Sequence, residues 1–186
     1  KKYDKAIEYF QRALNIAQKN GQKTYVSKFY RSIADALIGL ERYKEAALHY
    51  KKGLAVAREL GQASSALGIQ NSLAMRSHME GKYRRAIANY KQVLIGYRKL
   101  GNKSNELDII HNIGGSYYAL GKYDDAIQYF LKAIKGKEKL RLTAEGGARR
   151  DYLASQIESY RFLASSYFDN NELEKSLETI ERSRAR

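Results

Sequence analysis

The chain has 186 residues, of which 44% are hydrophobic and 29% charged, and this balance excludes a disordered or a fibrous protein. It contains no cysteine, which excludes a disulfide framework and a thiolate metal site and fits a cytoplasmic location. The net charge is +14, and residues 1–122 carry all but one of these charges, so the chain should attract anionic partners.

The first predicted element is a helix that opens at Tyr3, where apolar residues recur at spacings of three and four. The same Tyr-led pattern returns at Tyr43, Tyr83 and Tyr123, each 40 residues after the last. A period of this size is typical of a solenoid, in which each repeat packs against its neighbours. We therefore interpret each Tyr-led segment as the second helix, helix B, of a repeat.

A first helix, helix A, is predicted before each later helix B, at 25–40, 65–80, 105–120 and about 150–169. Glycines mark the turns between helices, and no proline interrupts the chain. The pattern predicts an all-α array of helix–turn–helix units without strands. Its predicted divisions are a truncated repeat at 1–21, full repeats at 22–61, 62–101 and 102–141, and a last repeat at 142–186. Because the pattern starts and stops inside repeats, with no secretory leader visible, we expect a segment of a longer protein.

The last predicted repeat departs from the period. Leu173 takes the place of the leading tyrosine and lies 50 residues after Tyr123 instead of 40. Ten extra residues are therefore expected near 142–155. The pair Gly146-Gly147 is the predicted break, within either two lengthened helices or a projecting loop.

Residues 105–133 carry a pattern that resembles the tetratricopeptide repeat, and the repeats around Tyr43 and Tyr83 carry parts of it. The matching positions are Ile113, Gly114, Tyr117, Gly121, Tyr123, Ala126, Phe130 and Ala133. This resemblance implies a right-handed superhelical solenoid that acts as a non-enzymatic interaction module. The 40-residue unit, without the family's usual proline, is similar to the long-helix branch found in mitotic adaptors and bacterial signalling proteins.

The closing run ERSRAR, at residues 181–186, resembles the junction between such repeats and the caspase-like CHAT domain of bacterial and cyanobacterial proteins. The resemblance implies a protease domain downstream in the same chain, with the repeats as its sensor or regulatory arm. A basic C-terminal helix end, which the helix dipole favours, is the alternative explanation for these arginines.

Candidate catalytic groups are sparse. The histidines His49, His78 and His111 fall in three different repeats and form no recognisable catalytic or metal-binding motif. We therefore expect no enzyme activity, cofactor or metal. Ten of the 16 tyrosines fall on packing positions of the repeat, which weakens a base-stacking interpretation of the tyrosine content.

The main predicted site is a concave groove lined by helices A, which would bind a protein or peptide. Its candidates follow from the offset of each residue from the repeat signature. They are Lys28, Arg31, Asp35, Ile38, Asn71, Met75, His78, Asp108, His111, Tyr118, Glu158, Arg161 and Phe168, with Gly68, Gly115 and Ser165 at the remaining positions.

A second predicted surface is basic and lies on the third helix B, on the convex side. It comprises Lys82, Arg84, Arg85, Lys91, Arg98 and Lys99, with no acidic residue between them. A solvated or secondary electrostatic surface is the favoured interpretation. The alternative function is a scaffold for RNA or another polyanion, bound through residues 1–122. No apolar run approaches the length of about 18 residues that a membrane span requires, so no membrane partner is expected.

Overall fold

The structure, a computed structural model, describes residues 2–143 and 146–184. These residues form nine α-helices and no strand, which confirms the predicted all-α fold. The helices are α1 (Lys2–Lys19), α2 (Lys23–Ile38), α3 (Tyr43–Glu59), α4 (Ala63–Met79), α5 (Tyr83–Lys99), α6 (Lys103–Ala119), α7 (Tyr123–Thr143), α8 (Gly146–Asp169) and α9 (Leu173–Arg184). Helices α2, α4, α6 and α8 are the A helices, and the odd-numbered ones are the B helices. None of the helices in the described residues is long and apolar enough to cross a membrane.

The turn that follows each helix A places one residue in the left-handed region. Gly81 and Gly121 have φ values of 73° and 70°, and the equivalent positions hold Glu41 at 59° and Asn171 at 61°. Glycine reaches this region without steric cost, whereas other residues strain the backbone. The turn is thus a property of the repeat that is kept even where glycine is absent.

The chain divides into two compact units, Lys1–Arg76 and Ser77–Arg186. In the first unit, Ala34 and Ala46 are fully buried, and they share a hydrophobic cluster with Tyr50 and Ile69. The Tyr50 hydroxyl donates a hydrogen bond to Asp35 Oδ1 at 2.5 Å. Burial and this bond raise the pKa of Tyr50, so the phenol stays neutral and serves packing.

The second unit is built around a cluster that contains Ala126, Phe130 and Leu163. A Cβ atom added at Gly114 would lie 2.9 Å from Phe130 Cε1, so glycine is what lets α6 approach the Phe130 ring. Small residues at signature positions therefore bring helices together, and aromatic rings fill the space between them.

The two helices that flank the predicted insertion are longer than the helices of the other full repeats. Helix α7 has 21 residues and α8 has 24, whereas α3, α4, α5 and α6 have 17 each. Helix α7 ends at Thr143 and α8 begins at Gly146, so the predicted break at Gly146-Gly147 falls at the start of α8, next to two lengthened helices. Glycine is tolerated there because the first amide groups of a helix have no intrahelical partner. Residues 144 and 145, within the predicted insertion, lie outside the described residues.

Candidate functional site

Six of the thirteen groove candidates belong to the first unit. Lys28, Asp35 and Met75 are exposed, and Arg31 is partly exposed with its Nε atom 3.9 Å from Asp35 Oδ2. Asn71 is half-buried. Its Oδ1 atom is buried and accepts no hydrogen bond from the described residues. The polar members of this set are thus accessible or poised to accept a hydrogen bond.

Ile38 does not line an open surface. Its side chain is only 8% exposed and packs into the hydrophobic cluster of the first unit, together with Leu37. An aliphatic side chain gains free energy by leaving water, and here the helix places it where it can do so. The prediction that Ile38 contacts a ligand therefore needs correction.

The seven other candidates belong to the second unit, where the two histidines connect helices A. His78 Nδ1 lies 2.9 Å from Ser116 Oγ, which joins the end of α4 to α6. His111 Nδ1 lies 3.0 Å from Ser159 Oγ, which joins α6 to α8. Burial lowers the pKa of His78. Both side chains therefore make contacts between helices of the second unit.

His111 is the more deeply packed of the two. Its ring lies 5.3 Å from the Phe130 ring and 5.5 Å from the Phe162 ring, measured between centroids. Burial, followed by the charge of Lys137, lowers the pKa of His111 to about 4. The imidazole is consequently neutral near pH 7 and positions helices rather than offering a charge to a ligand.

Accessible candidates of the second unit lie on α6 and α8, and we call them the α6–α8 face. Phe168 is 60% exposed, and Glu158 and Arg161 are exposed without an ion pair to any described residue. Tyr118 is half-buried and donates a hydrogen bond to Asp169 Oδ2 at 2.5 Å, which raises the pKa of Tyr118 to about 12. The members of the face are Asp108, Tyr118, Glu158, Arg161 and Phe168.

Asp108 has a second role in this unit. Its Oδ1 atom lies 3.2 Å from Lys137 Nζ, and the lysine side chain is only 4% exposed, whereas that of Asp108 is 52% exposed. The carboxylate therefore contributes to neutralising a buried ammonium group, which would be costly to bury without compensation. Asp108 is accessible to a ligand, but its carboxylate already pairs with the ammonium group of Lys137.

The six residues of the predicted basic surface are all exposed on α5 or beside it. Several already have partners: Lys82 Nζ lies 2.8 Å from Glu80, and Lys91 Nζ donates to the Tyr117 hydroxyl at 3.4 Å. Arg84, Arg85 and Lys99 have no ion pair with a described residue. The surface thus offers fewer free cations than its sequence suggests.

Arg98, another of these six, pairs with an acidic residue of α6. Arg98 Nε and Lys103 Nζ each donate to a different oxygen of Glu106 at 2.8 Å. Burial raises the pKa of Glu106, but these two hydrogen bonds outweigh burial and leave the pKa below its usual value.

Sequence reasoning missed two residues that organise the α6–α8 face, Ser159 and Asp169. Each lies about one repeat away from its partner, at separations of 48 residues from His111 and 51 from Tyr118. An alignment of the repeats that allowed for the greater length of the last one would have placed the two residues of each pair at corresponding positions. The residue types of Ser159 and Asp169 alone do not indicate these contacts. No set of three or more histidine, aspartate and glutamate side chains is arranged to hold a metal in the part of the chain that the structure describes.

Comparisons with known proteins agree on the repeat. The sequence pattern described as "Tetratricopeptide repeat" matches residues 1–59 and 65–139. No curated protein matches the sequence.

Among solved structures, BtubC (BKLC) from P. vanneervenii superposes with a TM-score of 0.78 at 21% identity, covering 99% of this chain and 72% of that one. NprR in complex with its cognate peptide NprX gives 0.72 at 20% identity, with 98% and 49% covered. The Rap conjugation regulator of plasmid pLS20, in complex with the Phr* peptide, gives 0.73 at 17% identity, with 99% and 49% covered. At these identities the likeness concerns the fold, and with the matched pattern covering most of the sequence, the chain belongs to the tetratricopeptide repeat family.

Proposed function

We propose that this chain is a non-enzymatic recognition module that binds a peptide or a protein segment on its A helices, with the α6–α8 face as the principal contact. The observation that carries the proposal is Phe168, an aromatic side chain left 60% exposed on the helix that also carries Glu158 and Arg161, two exposed charges with no ion pair to a described residue. Aromatic side chains, including phenylalanine, and arginine are enriched at protein interfaces relative to the rest of the surface.

The geometry around Phe168 suits a peptide. Tyr118 is fixed by its hydrogen bond to Asp169, so its ring loses little freedom when a ligand arrives. Glu158 and Arg161 lie three residues apart on α8, and they offer an acceptor and a fork of donors on one helix face. The face would therefore hold an apolar side chain and fix the orientation of the peptide through charged groups.

Structural relatives give independent support for this kind of ligand. NprR and the pLS20 Rap regulator are each described as complexes with a peptide. Repeats of this family generally serve as interaction scaffolds without catalysis, which fits the proposal that the chain is not an enzyme. The remaining candidates Lys28, Arg31, Asp35, Asn71 and Met75 stay a separate prediction for the first unit.

The test begins with peptides selected from a random 12-residue phage library on the immobilised full chain, followed by isothermal titration calorimetry. We expect Phe168→Ser and Arg161→Glu each to weaken binding about tenfold. The matched controls are Tyr9→Ser and Arg58→Glu, which remove an exposed aromatic ring and reverse an exposed charge in the first unit. They should change the affinity less than about twofold. Selected peptides that bind equally to all four variants would contradict the proposal.

Two more specific proposals, the repeat type and a downstream domain, rest on the sequence. We infer that the repeats belong to the 40-residue branch, since α3, α5 and α7 begin at Tyr43, Tyr83 and Tyr123. From the ERSRAR run we infer a downstream CHAT domain whose activity responds to partner binding; the run lies on α9, with residues 185 and 186 outside the described ones. The full reading frame tests this: unrelated sequence or a stop codon soon after Arg186 would refute it.

A further inference from the structure

A groove on the opposite, B-helix side of the second unit lies between α5 and α7, with α6 as its floor. A cavity of about 720 Å³ opens between the two B helices, and a second of about 450 Å³ adjoins it along α7. The two share Ile110, Lys132 and Lys135. Helix α7 lines the groove from Gln128 to Thr143, a length of about 22 Å. We call this feature the α5–α7 groove.

The walls and floor of the groove are apolar. Leu94 and Ile110 are buried at its base, while Ile95 and Leu131 remain 46% and 40% exposed on its two sides. Exposed aliphatic side chains are ordinary when scattered, but here they face one recess from two helices. They provide apolar contact area for a partner without any change in the packing of the unit.

The rim of the groove is positively charged. Among the residues that the structure describes, the wider cavity is lined by Lys91, Arg98, Lys132 and Lys135 and by no acid. Lys132 and Lys135 form no ion pair with a described residue. Glu106, the one acid among the described residues that line the adjoining cavity, is largely buried and already bound by Arg98 and Lys103.

Charge complementarity and the apolar floor together define the partner. We propose that the α5–α7 groove binds an acidic amphipathic polypeptide segment, with its large apolar residues against Ile95 and Leu131 and its carboxylates opposite Lys132 and Lys135. The groove length accommodates about four helical turns of such a segment. The neighbouring cavity towards α9 is lined by Glu138 and Glu178 as well as by Lys135, Lys175 and Arg182, so its charge is mixed.

Two observations favour a polypeptide over other anionic partners. The ring of Tyr129 at the groove edge stacks on Tyr117 with centroids 5.4 Å apart, so at most one of its faces is left to stack on a nucleotide base. The apolar groups lie in a recess rather than on a protruding helix face. An amphipathic peptide can enter a recess, whereas a bilayer surface meets protruding residues more readily.

The test uses the full chain and a fluorescein-labelled 16-residue peptide of leucine and glutamate, with leucines spaced three and four residues apart. One control peptide has serine for leucine, and the other has glutamine for glutamate. Fluorescence anisotropy at about 0.15 M salt, where screening confines charge effects to about 8 Å, gives the affinities. We expect the first peptide to bind and each control to bind at least about tenfold more weakly.

Variants locate the site. Ile95→Ser with Leu131→Ser, and separately Lys132→Glu with Lys135→Glu, should each weaken binding about tenfold or more. Lys44→Glu with Lys51→Glu makes the same charge change on exposed lysines of α3 and should alter affinity less than about twofold. Phe168→Ser on the α6–α8 face should also leave this peptide's binding unchanged, which separates this proposal from the preceding one.

Three outcomes would overturn the proposal. One is a serine peptide that binds as well as the leucine peptide. Another is an Ile95→Ser with Leu131→Ser variant that is folded by circular dichroism and keeps full affinity. Either result would reduce the groove to a general positive surface. The third outcome is that a 20-nucleotide single strand or phosphatidylserine vesicles bind more tightly than the leucine peptide, and that Lys132→Glu with Lys135→Glu abolishes this binding. It would assign the groove to nucleic acid or to lipid, respectively.

Discussion

The Nδ1 atom of His111 lies 3.0 Å from the Oγ atom of Ser159, and this contact joins α6 to α8 within the second unit. The imidazole is enclosed by Phe130 and Phe162, and its pKa falls to about 4 because of burial. The residues of the α6–α8 face stand on these same two helices. The stability of the face should therefore depend on the protonation of His111.

We predict that the free energy of unfolding decreases as the pH falls from about 6.5 to about 4. In this window the unfolded chain binds a proton at His111 that the folded chain does not bind, so acid favours unfolding. The full shift from 6.5 to about 4 corresponds to about 3–4 kcal/mol, and below the folded pKa the effect stops growing. Urea unfolding at several pH values measures it.

The control for this prediction is His111→Gln, which does not titrate and still offers a polar atom to Ser159. Its stability should depend on pH less steeply than that of the wild type. His49 and His78, whose pKa values burial also lowers, contribute equally to both proteins and cancel in the comparison. Identical slopes for the two proteins would show that His111 is not buried as a neutral ring.

Sequence reasoning could place the helices because the repeat fixes which positions must pack. Tyr43, Tyr83, Tyr123 and Leu173 were predicted to lead helices B, and α3, α5, α7 and α9 begin at these residues. Gly114 matches a position of the repeat pattern, and its distance to Phe130 shows that a small residue is needed there for close helix contact. These features depend on local spacing, which a sequence displays directly.

The exposure of individual side chains was harder to infer. Ile38 and His111 occupy groove positions in the repeat, yet one packs in the core and the other between two phenylalanine rings. Lys137 is nearly buried beside Asp108, although lysine is usually exposed. Whether a helix position is open depends on the neighbouring helices, so the repeat register alone could not decide it.

The turn after α6 allows a test of backbone strain. Gly121 has a φ of 70°, and an added Cβ atom would meet nothing within 4 Å, so only the backbone conformation opposes a larger residue. We expect Gly121→Ala to lower the free energy of unfolding by about 1 kcal/mol.

The matched substitution is Gly115→Ala, six residues earlier in α6. Its Cβ atom would also meet nothing within 4 Å, but the residue is helical, so alanine should stabilise the protein by up to about 1 kcal/mol. Thermal unfolding followed by circular dichroism compares the two variants. Effects of the same sign would argue against the assigned turn.

A buried amide in α8 provides another prediction. Gln156 is only 1% exposed, and neither its Nε2 nor its Oε1 atom has a hydrogen-bond partner among the described residues. A buried polar group without a partner costs about 1–3 kcal/mol. Gln156→Met, which keeps the length of the side chain, should therefore stabilise the protein by about 1–2 kcal/mol.

Chemical denaturation of Gln156→Met beside Gln92→Met isolates the effect of burial, since Gln92 is exposed on α5. The Gln92 variant should change stability by less than about 0.5 kcal/mol. If Gln156→Met instead lost stability, the amide of Gln156 would have to be hydrogen-bonded in solution, for example to an enclosed water molecule.

Arg84 and Arg85 test whether the charge of α5 serves a ligand. They lie in the first turn of the helix, which contains no acidic residue, and there the helix dipole disfavours positive charge. Their reversal to glutamate should raise the free energy of unfolding by about 0.3–1 kcal/mol per residue at low salt. Arg98→Glu, at the other end of α5, should destabilise the protein because it breaks the pair with Glu106.

The same double variant decides between a solvated surface and a polyanion site. If the alternative function as an RNA scaffold is correct, the Arg84→Glu with Arg85→Glu variant should bind a single-stranded RNA more weakly than the wild type, although the variant is more stable. The affinity of the wild type for the RNA should also fall steeply between about 50 and 200 mM salt. Peptide binding to the α6–α8 face should be unaffected. Because the stability of the variant rises while its polyanion binding falls, a loss of RNA binding could not be attributed to unfolding. Unchanged RNA binding would exclude Arg84 and Arg85 from the site.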